Sequence, residues 1–399
     1  MKLSKLTTSL LTASCIALCG QVSASSLVKI SDGVKTPVQD LVAVALPDHR
    51  VEQEAVHYSQ RITGDSQLNL APQAYHSSSD EYWFEVSGKE LNRGIAVNVS
   101  QPGALIRLSG KRSSTLDADI ESIDPNYLEL SKGKQVLNSP FSQSVTREQL
   151  ATANIFPNSS AVKLNKELGN GKFNLRVTRD LDNDQRYIVN VKEKDSAHKL
   201  QLALPKQSYL NGETLQFDAG IYRNEQALTD TVHQAFIKLP SGEKQPVNFS
   251  VKNGQYQVDV PQGQESAAPG SLYELHLQSQ VADNGISIQR NGKVAFAMAR
   301  QTAQMTGAVQ VQNDRALVGL EVASEGRYEV SALVSGTDSR GQLTRVMLSR
   351  SAYYLQPGNH QVAVRFDTAI LADAGVKAPY KVEKLRLMDQ SRMALLAQQ

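Results

Sequence analysis

Apolar residues recur at every second position along most of this chain, in short runs broken by Gly, Pro, Asn and Asp. A period of two is what a strand with one buried face requires, and apolar runs at helical spacing are nearly absent. The pattern predicts an all-β chain of antiparallel sheets. It is clearest over residues 198–300. Leu200, Leu202 and Leu204 alternate, as do Leu215, Phe217, Ala219 and Ile221, and then Ala235, Ile237 and Leu239. Tyr209-Leu210-Asn211-Gly212-Glu213 and Pro240-Ser241-Gly242 punctuate these runs as turns. Asn253-Gly254 is expected to join Val247, Phe249 and Val251 to Tyr256, Val258 and Val260 in a tight hairpin. Asn291-Gly292 is expected to join Ile286 and Ile288 to Val294, Phe296 and Met298 likewise, since Asn-Gly accepts the positive φ of such turns. About seven strands in about 100 residues predict an immunoglobulin-like sandwich.

Residues 301–399 repeat the scheme, with Val318, Leu320 and Val322, then Tyr328, Val330 and Ala332, then Val362, Val364 and Phe366, and a helical turn after Asp367. Residues 79–197 read as a further sandwich-like domain with an inserted loop. Tyr82-Trp83-Phe84 opens it, Ile95, Val97 and Val99 alternate, and Phe173, Leu175 and Val177 are expected to pair with Tyr187, Val189 and Val191. Thr146-Arg147-Glu148-Gln149 has capping-box spacing and predicts a short helix through Ala153. Residues 25–78 show only brief strand signals, around residues 41–46, and are expected to form an irregular segment. The predicted architecture is tandem immunoglobulin-like β-sandwich domains.

Residues 1–24 stand apart. Lys2 and Lys5 precede an apolar run over residues 6–19, and Val22-Ser23-Ala24 offers a small-residue cleavage site. The run is short for a bilayer span, so a signal peptide cleaved near Ala24 is expected, with a secreted or periplasmic location in a Gram-negative bacterium. Cys15 and Cys19 both fall in this leader. The mature chain then has no thiol, which excludes a disulfide, a cysteine metal site and a cysteine nucleophile. Taking Lys2 and Lys5 from the 42 basic residues leaves 40, against 40 acidic ones. That balance gives no basic stripe for nucleic acid or an anionic membrane. No apolar stretch of spanning length follows the leader. A monomer of ordinary-sized domains is expected.

Tyr209-x-x-Gly212-Glu213 and Leu239-Pro240-Ser241-Gly242 resemble the turn motifs of bacterial Ig-like modules of the macroglobulin type. The whole chain resembles the secreted DUF4785 family of gamma-proteobacteria, in its length, leader, Trp-containing N-terminal block, Gly326-Arg327-Tyr328 and Ala378-Pro379-Tyr380. The resemblance implies Ig-like β domains and export, with type II secretion as a route. It brings no catalytic residues.

Chemistry-bearing patterns are few. No histidine is followed by glutamate as in the HExxH zinc proteases, no phosphate-binding loop occurs, and no Gly-x-Ser-x-Gly elbow occurs. Ser-x-x-Lys at Ser160/Lys163, Ser196/Lys199 and Ser241/Lys244 lacks the helical setting that would activate a serine. Asp180, Asp182 and Asp184 alternate as calcium ligands do, although an EF-hand loop would need glycine where Gln185 stands and glutamate where Val191 stands. The other reading of that stretch is a polar hairpin tip. Asp117, Asp119, Glu121 and Asp124 form an acidic cluster of the kind a glycosidase could use, or a solvated loop. His49, His57 and His76 match no zinc spacing. Trp83 is either the core anchor of its domain or a ligand-stacking platform. The functional expectation is a non-catalytic binding or accessory protein acting on a protein or surface glycan, with no cofactor beyond that candidate calcium. The alternatives are a polysaccharide hydrolase using the acidic cluster, and an inhibitor or escort of a co-secreted protease.

Overall fold

The computed structural model describes residues 26–29, 40–48, 50–62, 74–111, 122–156, 158–260 and 270–399. Residues 1–25, where a signal peptide is expected, and Asp117, Asp119, Glu121 and His49 lie outside the described residues. Among the described residues six sheets pair into three sandwiches, each with its own cluster of buried side chains. The fold is all-β and multi-domain.

The first sandwich sets the sheet Glu81–Ser87, Arg186–Lys192, Leu105–Gly110, Ser159–Leu164, Phe141–Val145 against the sheet Ile95–Val99, Gly171–Val177, Leu128–Lys132, Gln135–Val136. Alternation fills its core: Ile95, Val97 and Val99 point in from one sheet, and Ile106 and Leu108 from the other. The expected pairing of Phe173, Leu175 and Val177 with Tyr187, Val189 and Val191 does not occur. These strands belong to opposite sheets and face each other across the core. Alternation gives the buried face of a strand but cannot tell a paired strand from a facing one. Residues 178–185 are therefore a crossover, not a hairpin tip. Asn92 holds it, its Nδ2 donating to Val177 O (2.9 Å) and Arg179 O (2.6 Å) while its Oδ1 accepts from Leu181 N (2.9 Å). Asn92 sits on a short helix, Gly88–Arg93, started by a Ser87/Glu90 capping box. The helix expected after Thr146 spans Arg147–Thr152.

The second sandwich sets the strands Ser250–Lys252, Gln255–Asp259, Thr214–Arg223, His198–Leu204 and Tyr75–Ser79 against Ser208–Leu210, Ile286–Ala299, Tyr273–Asp283, Val232–Lys238 and Lys244–Val247. Asn253 and Gly254 make the expected turn, at φ 53° and 79°, but of the expected arm only Val251 pairs across it, with Tyr256, and Val247 lies in the opposite sheet. Asn291-Gly292 makes no turn. It lies inside one continuous strand, Ile286–Ala299, and the turn is at Asn284-Gly285, at φ 50° and 78°. Gly292 serves packing instead: a Cβ there would sit 2.9 Å from Leu200 Cδ2 of the facing sheet.

The third sandwich draws on both ends of the chain. Its sheets are Ser26–Lys29, Ala303–Val311, Arg315–Val322, Gly358–Arg365 and Val56–Arg61, Leu343–Leu355, Gly326–Thr337, Lys377–Asp389, Ala394–Gln398. The segment expected to be irregular thus supplies an edge strand to each of three sheets: Ser26–Lys29 and Val56–Arg61 here, and Tyr75–Ser79 in the second sandwich. Between the first two, the chain is strapped onto the third sandwich. Val42 N donates to Gln301 O (2.9 Å), and Ser324 Oγ accepts from Val44 N (2.8 Å) and donates to Val42 O (2.7 Å). Arg392 Nη2 donates to Val44 O (2.7 Å), and Arg327 Nη1 to Glu52 O (2.7 Å) and Glu54 O (2.8 Å).

Candidate functional site

On one side of the first sandwich the edge strands of its two sheets, Glu81–Ser87 and Ile95–Val99, lie together. Edge strands expose backbone groups that need partners. Tyr82 turns inward and joins the two edges, its hydroxyl donating to Asn98 O (2.8 Å) and accepting from Asn98 N (2.9 Å). Burial pushes the Tyr82 phenol above its ordinary range, so it stays protonated. Tyr82 and Phe84 pack with the core, and Trp83 between them points to the outer face, half-buried and outside the core cluster. The side chains on either side of Trp83 therefore anchor this domain, and the indole does not.

The second sandwich meets that side with the strand Ile286–Ala299. Asn291, buried, donates from Nδ2 to Trp83 O (2.7 Å), satisfying the edge carbonyl and tying the two sandwiches at the tryptophan. Between them lies a groove of about 330 Å³. Trp83, Ala96 and Asn98 line one wall. The floor is the outer face of the second sandwich, where residues align in cross-strand rows. Gln234, Gln278 and Asn291 form one row, and Val232, Gln280 and Gln289 the next. At about 3.4 Å per residue these rows stand about 7 Å apart. No lining residue is a carboxylate, lysine, arginine or histidine.

Alternation along the same strand sends Arg290 the other way, into the junction. Its side chain is 1% exposed and that of its partner Glu193 0% exposed, with Arg290 Nη2 2.6 Å from Glu193 Oε2. Arg290 Nε donates to His198 O (2.9 Å), Nη1 to Gln289 O (2.7 Å), and Nη2 also to Ser100 Oγ and Ser196 Oγ (3.0 Å each). Glu193 Oε1 accepts from Ser100 N (2.6 Å), and Oε2 from the Ser100 hydroxyl. Removing two charges from water is costly, and full hydrogen bonding is the condition on which a buried pair stands. Ser100 and Glu193 flank the first sandwich and Arg290 belongs to the second, so the pair fixes how the two walls of the groove face each other.

Several of the charges around the groove are paired, whereas Lys172, opposite Asn98, is exposed. Glu85 accepts from Lys111 Nζ (2.6 Å) and Arg186 Nε (3.0 Å), and the hydrogen bond from Lys111 is the main cause of its lowered pKa. Lys192 lies 3.2 Å from Asp80. Further along the floor, Glu274 meets Lys293 (3.0 Å), His276 (3.0 Å) and Lys238 (3.4 Å). Burial opposes ionisation of Glu274, but hydrogen bonds from His276 and Lys293 and the two lysine charges outweigh it and bring its pKa to about 2. A larger cleft, about 400 Å³, separates residues 43–47 of the strap from the second and third sandwiches. Its Arg392 is committed to Asp389 (2.7 Å) and to strap carbonyls.

The other sequence-derived candidates are dispersed. Asp180, Asp182 and Asp184 are exposed on the crossover. Asp182 Oδ1 accepts from Asp184 N (3.0 Å), while the carbonyls of Asn183 and Gln185 accept from Lys89 N (3.3 Å) and Gly88 N (2.8 Å) at the start of the short helix. Asp124 caps a 3-10 turn through Asn126 N (2.9 Å). His57 bonds Ser351 Oγ (2.9 Å) in the third sandwich, whereas His76 is exposed on an edge of the second. Among the described residues no three His, Cys, Asp or Glu side chains form a group able to hold a metal ion. Ser196 serves the Arg290 junction, and Ser160 is buried in a strand. Sequence reasoning missed the amides of the floor. Their signal was available: Gln278, Gln280, Gln289 and Asn291 occupy outward positions of strands, where a solvated face ordinarily carries charge.

Residues 47–193 match the N-terminal domain, and residues 302–399 the C-terminal domain, of a family described as domain of unknown function (DUF4785). A search of curated proteins finds no match. The crystal structure of a DUF4785 family protein from Legionella pneumophila is similar over 91% of this chain and 96% of that one, at 20% identity and a TM-score of 0.69, which shows the same fold. Salmonella alpha-2-macroglobulin reacted with methylamine is aligned over 83% of this chain and 24% of its own, at 12% identity and a TM-score of 0.19, a likeness that carries no argument. On the two domain matches and the shared fold, this chain belongs to the DUF4785 family.

Proposed function

We propose that this is an exported, non-catalytic binding or accessory protein whose ligand seats in the groove between the first and second sandwiches. The observation that carries the reading is Trp83. It is the one tryptophan of the chain, it stands half-buried outside the core, and its backbone is held by Asn291 against an uncharged amide floor. A concave site preformed by a rigid junction is the ordinary form of a binding site. The leader supports export, and the Ig-like build of the sandwiches suits a scaffold that presents a surface to a partner outside the cytoplasm. The partner we favour is a surface glycan, and the chain acts as a monomer.

Immobilised mature protein is expected to retain material from envelope or secreted fractions, and Trp83→Ala to lower that retention about tenfold or more, as removal of a central aromatic does. Retention that is unchanged in Trp83→Ala, with both proteins folded by circular dichroism, contradicts the assignment.

A further inference from the structure

We infer that the groove takes a neutral polyhydroxylated chain, a glycan, rather than a peptide or a charged polymer; this rests on reading the groove as the ligand site. The first support is electrostatic. The lining carries no ionised side chain, and the flanking charges Glu85, Lys192 and Glu274 each already have an opposite partner. A charged ligand would find no counter-charge in the lining itself.

The second support is the hydrogen-bonding chemistry of the floor. A side-chain amide offers two N–H donors and one carbonyl acceptor. It can therefore bond a hydroxyl whichever way that hydroxyl turns. Gln234, Gln278, Gln280 and Gln289 repeat this capacity across two rows, so successive units of one chain meet the same kind of group. Trp83 and the exposed Val232 provide apolar surface for the C–H face of a sugar ring. Among the described residues the indole N–H is without an acceptor, which leaves it for a ligand hydroxyl.

The third support separates a glycan from a peptide. An extended peptide gains affinity by adding to a sheet edge through backbone hydrogen bonds. On the wall of the first sandwich the nearest backbone groups are engaged: Asn291 holds Trp83 O, and Tyr82 holds both backbone groups of Asn98. The wall and the Gln278–Asn291 part of the floor therefore offer side chains, which suits hydroxyl recognition.

The test is calorimetric titration of the full mature chain at low and high salt. The probes are neutral oligosaccharides (β-1,4-, β-1,3- and α-1,4-glucans and chito-oligosaccharides) with oligogalacturonate as the acidic counterpart. At least one neutral probe is expected to bind with an affinity insensitive to salt, falling about tenfold or more in Trp83→Ala and severalfold in Gln278→Ala. Trp83→Phe, which keeps a ring, is expected to retain part of the binding. Binding confined to oligogalacturonate, affinity that collapses at high salt, or no binding across the neutral panel overturns the inference. Periodate oxidation of the retained envelope material distinguishes the two levels. Retention that needs Trp83 but survives periodate leaves the groove as the site and removes the glycan, whereas retention that ignores Trp83 removes both.

Discussion

The first and third sandwiches reach the same architecture by opposite routes. Every described strand of the first comes from residues 81–192, and its sheets close among near neighbours in sequence. The third needs Ser26–Lys29 and Val56–Arg61 as edge strands, paired with strands near residues 310 and 350. It cannot be finished until both ends of the chain are present, and its closure spans a very long loop. The joints differ in the same way. The first sandwich is joined to the second by a buried ion pair, with Asn291 holding Trp83 O beside it. The strap is held to the third by arginine and serine side chains bonding backbone carbonyls and amides. Family domain boundaries do not follow the sheets: the match over residues 47–193 includes Val56–Arg61 and Tyr75–Ser79, which complete the third and second sandwiches.

The largest break in this comparison comes from deleting residues 25–62. Hydrogen exchange is expected to show loss of protection throughout strands Ala303–Val311 and Leu343–Leu355, while Ile95–Val99 and Gly171–Val177 keep theirs. Unchanged protection in the third sandwich would make the strap a decoration. Next in size is the junction. Arg290→Met leaves Glu193 buried without its partner and is expected to cost about 3–5 kcal/mol in urea unfolding, most of it recovered in Arg290→Met/Glu193→Met. On the strap, Arg327→Met frees the carbonyls of Glu52 and Glu54 and is expected to cost about 1–3 kcal/mol. Equal costs at the two joints would erase the distinction between a charge-locked and a backbone-strapped interface.

The same contrast explains what could be read from residues alone. Alternation located the strands of the contiguous domains, and Thr146, Asp367 and Asn253-Gly254 marked caps and a turn that the structure contains. The strap strands were illegible because Val-His-Tyr-Ser-Gln-Arg and Tyr-His-Ser-Ser-Ser lie at sheet edges, where little of each strand is buried and no apolar alternation is required. Asn291-Gly292 misled for a related reason. Its asparagine answers to Trp83 O of another domain and its glycine to Leu200 of another sheet, both invisible to local turn chemistry. The groove hid behind that misreading, since Gln289, Arg290 and Asn291 belong to a junction strand and not to a hairpin end.

The smallest expected effect is acid sensitivity of the second sandwich. Burial holds the His276 imidazole below its ordinary 6.5, so the unfolded chain takes up a proton that the folded one resists, and stability falls as pH drops below that value. Glu274 has a folded pKa of about 2 against an ordinary 4.5. Its contribution is complete above 4.5 and is lost as pH falls from there towards 2. Melting of Glu274→Gln is expected to depend less on pH across that lower window than melting of the wild type. Parallel pH profiles would remove Glu274 as a stabilising hub.

Trp83 is the one tryptophan in the chain, so its emission reports on the groove. The most direct measurement is acrylamide quenching of that emission, with and without the retained envelope material. Bound material is expected to shield the indole and lower the quenching constant severalfold, and Tyr58→Ala, exposed on the edge strand Val56–Arg61, to leave the shielding intact. Quenching that is the same in the bound and free protein would place the ligand elsewhere and contradict the assignment to the groove.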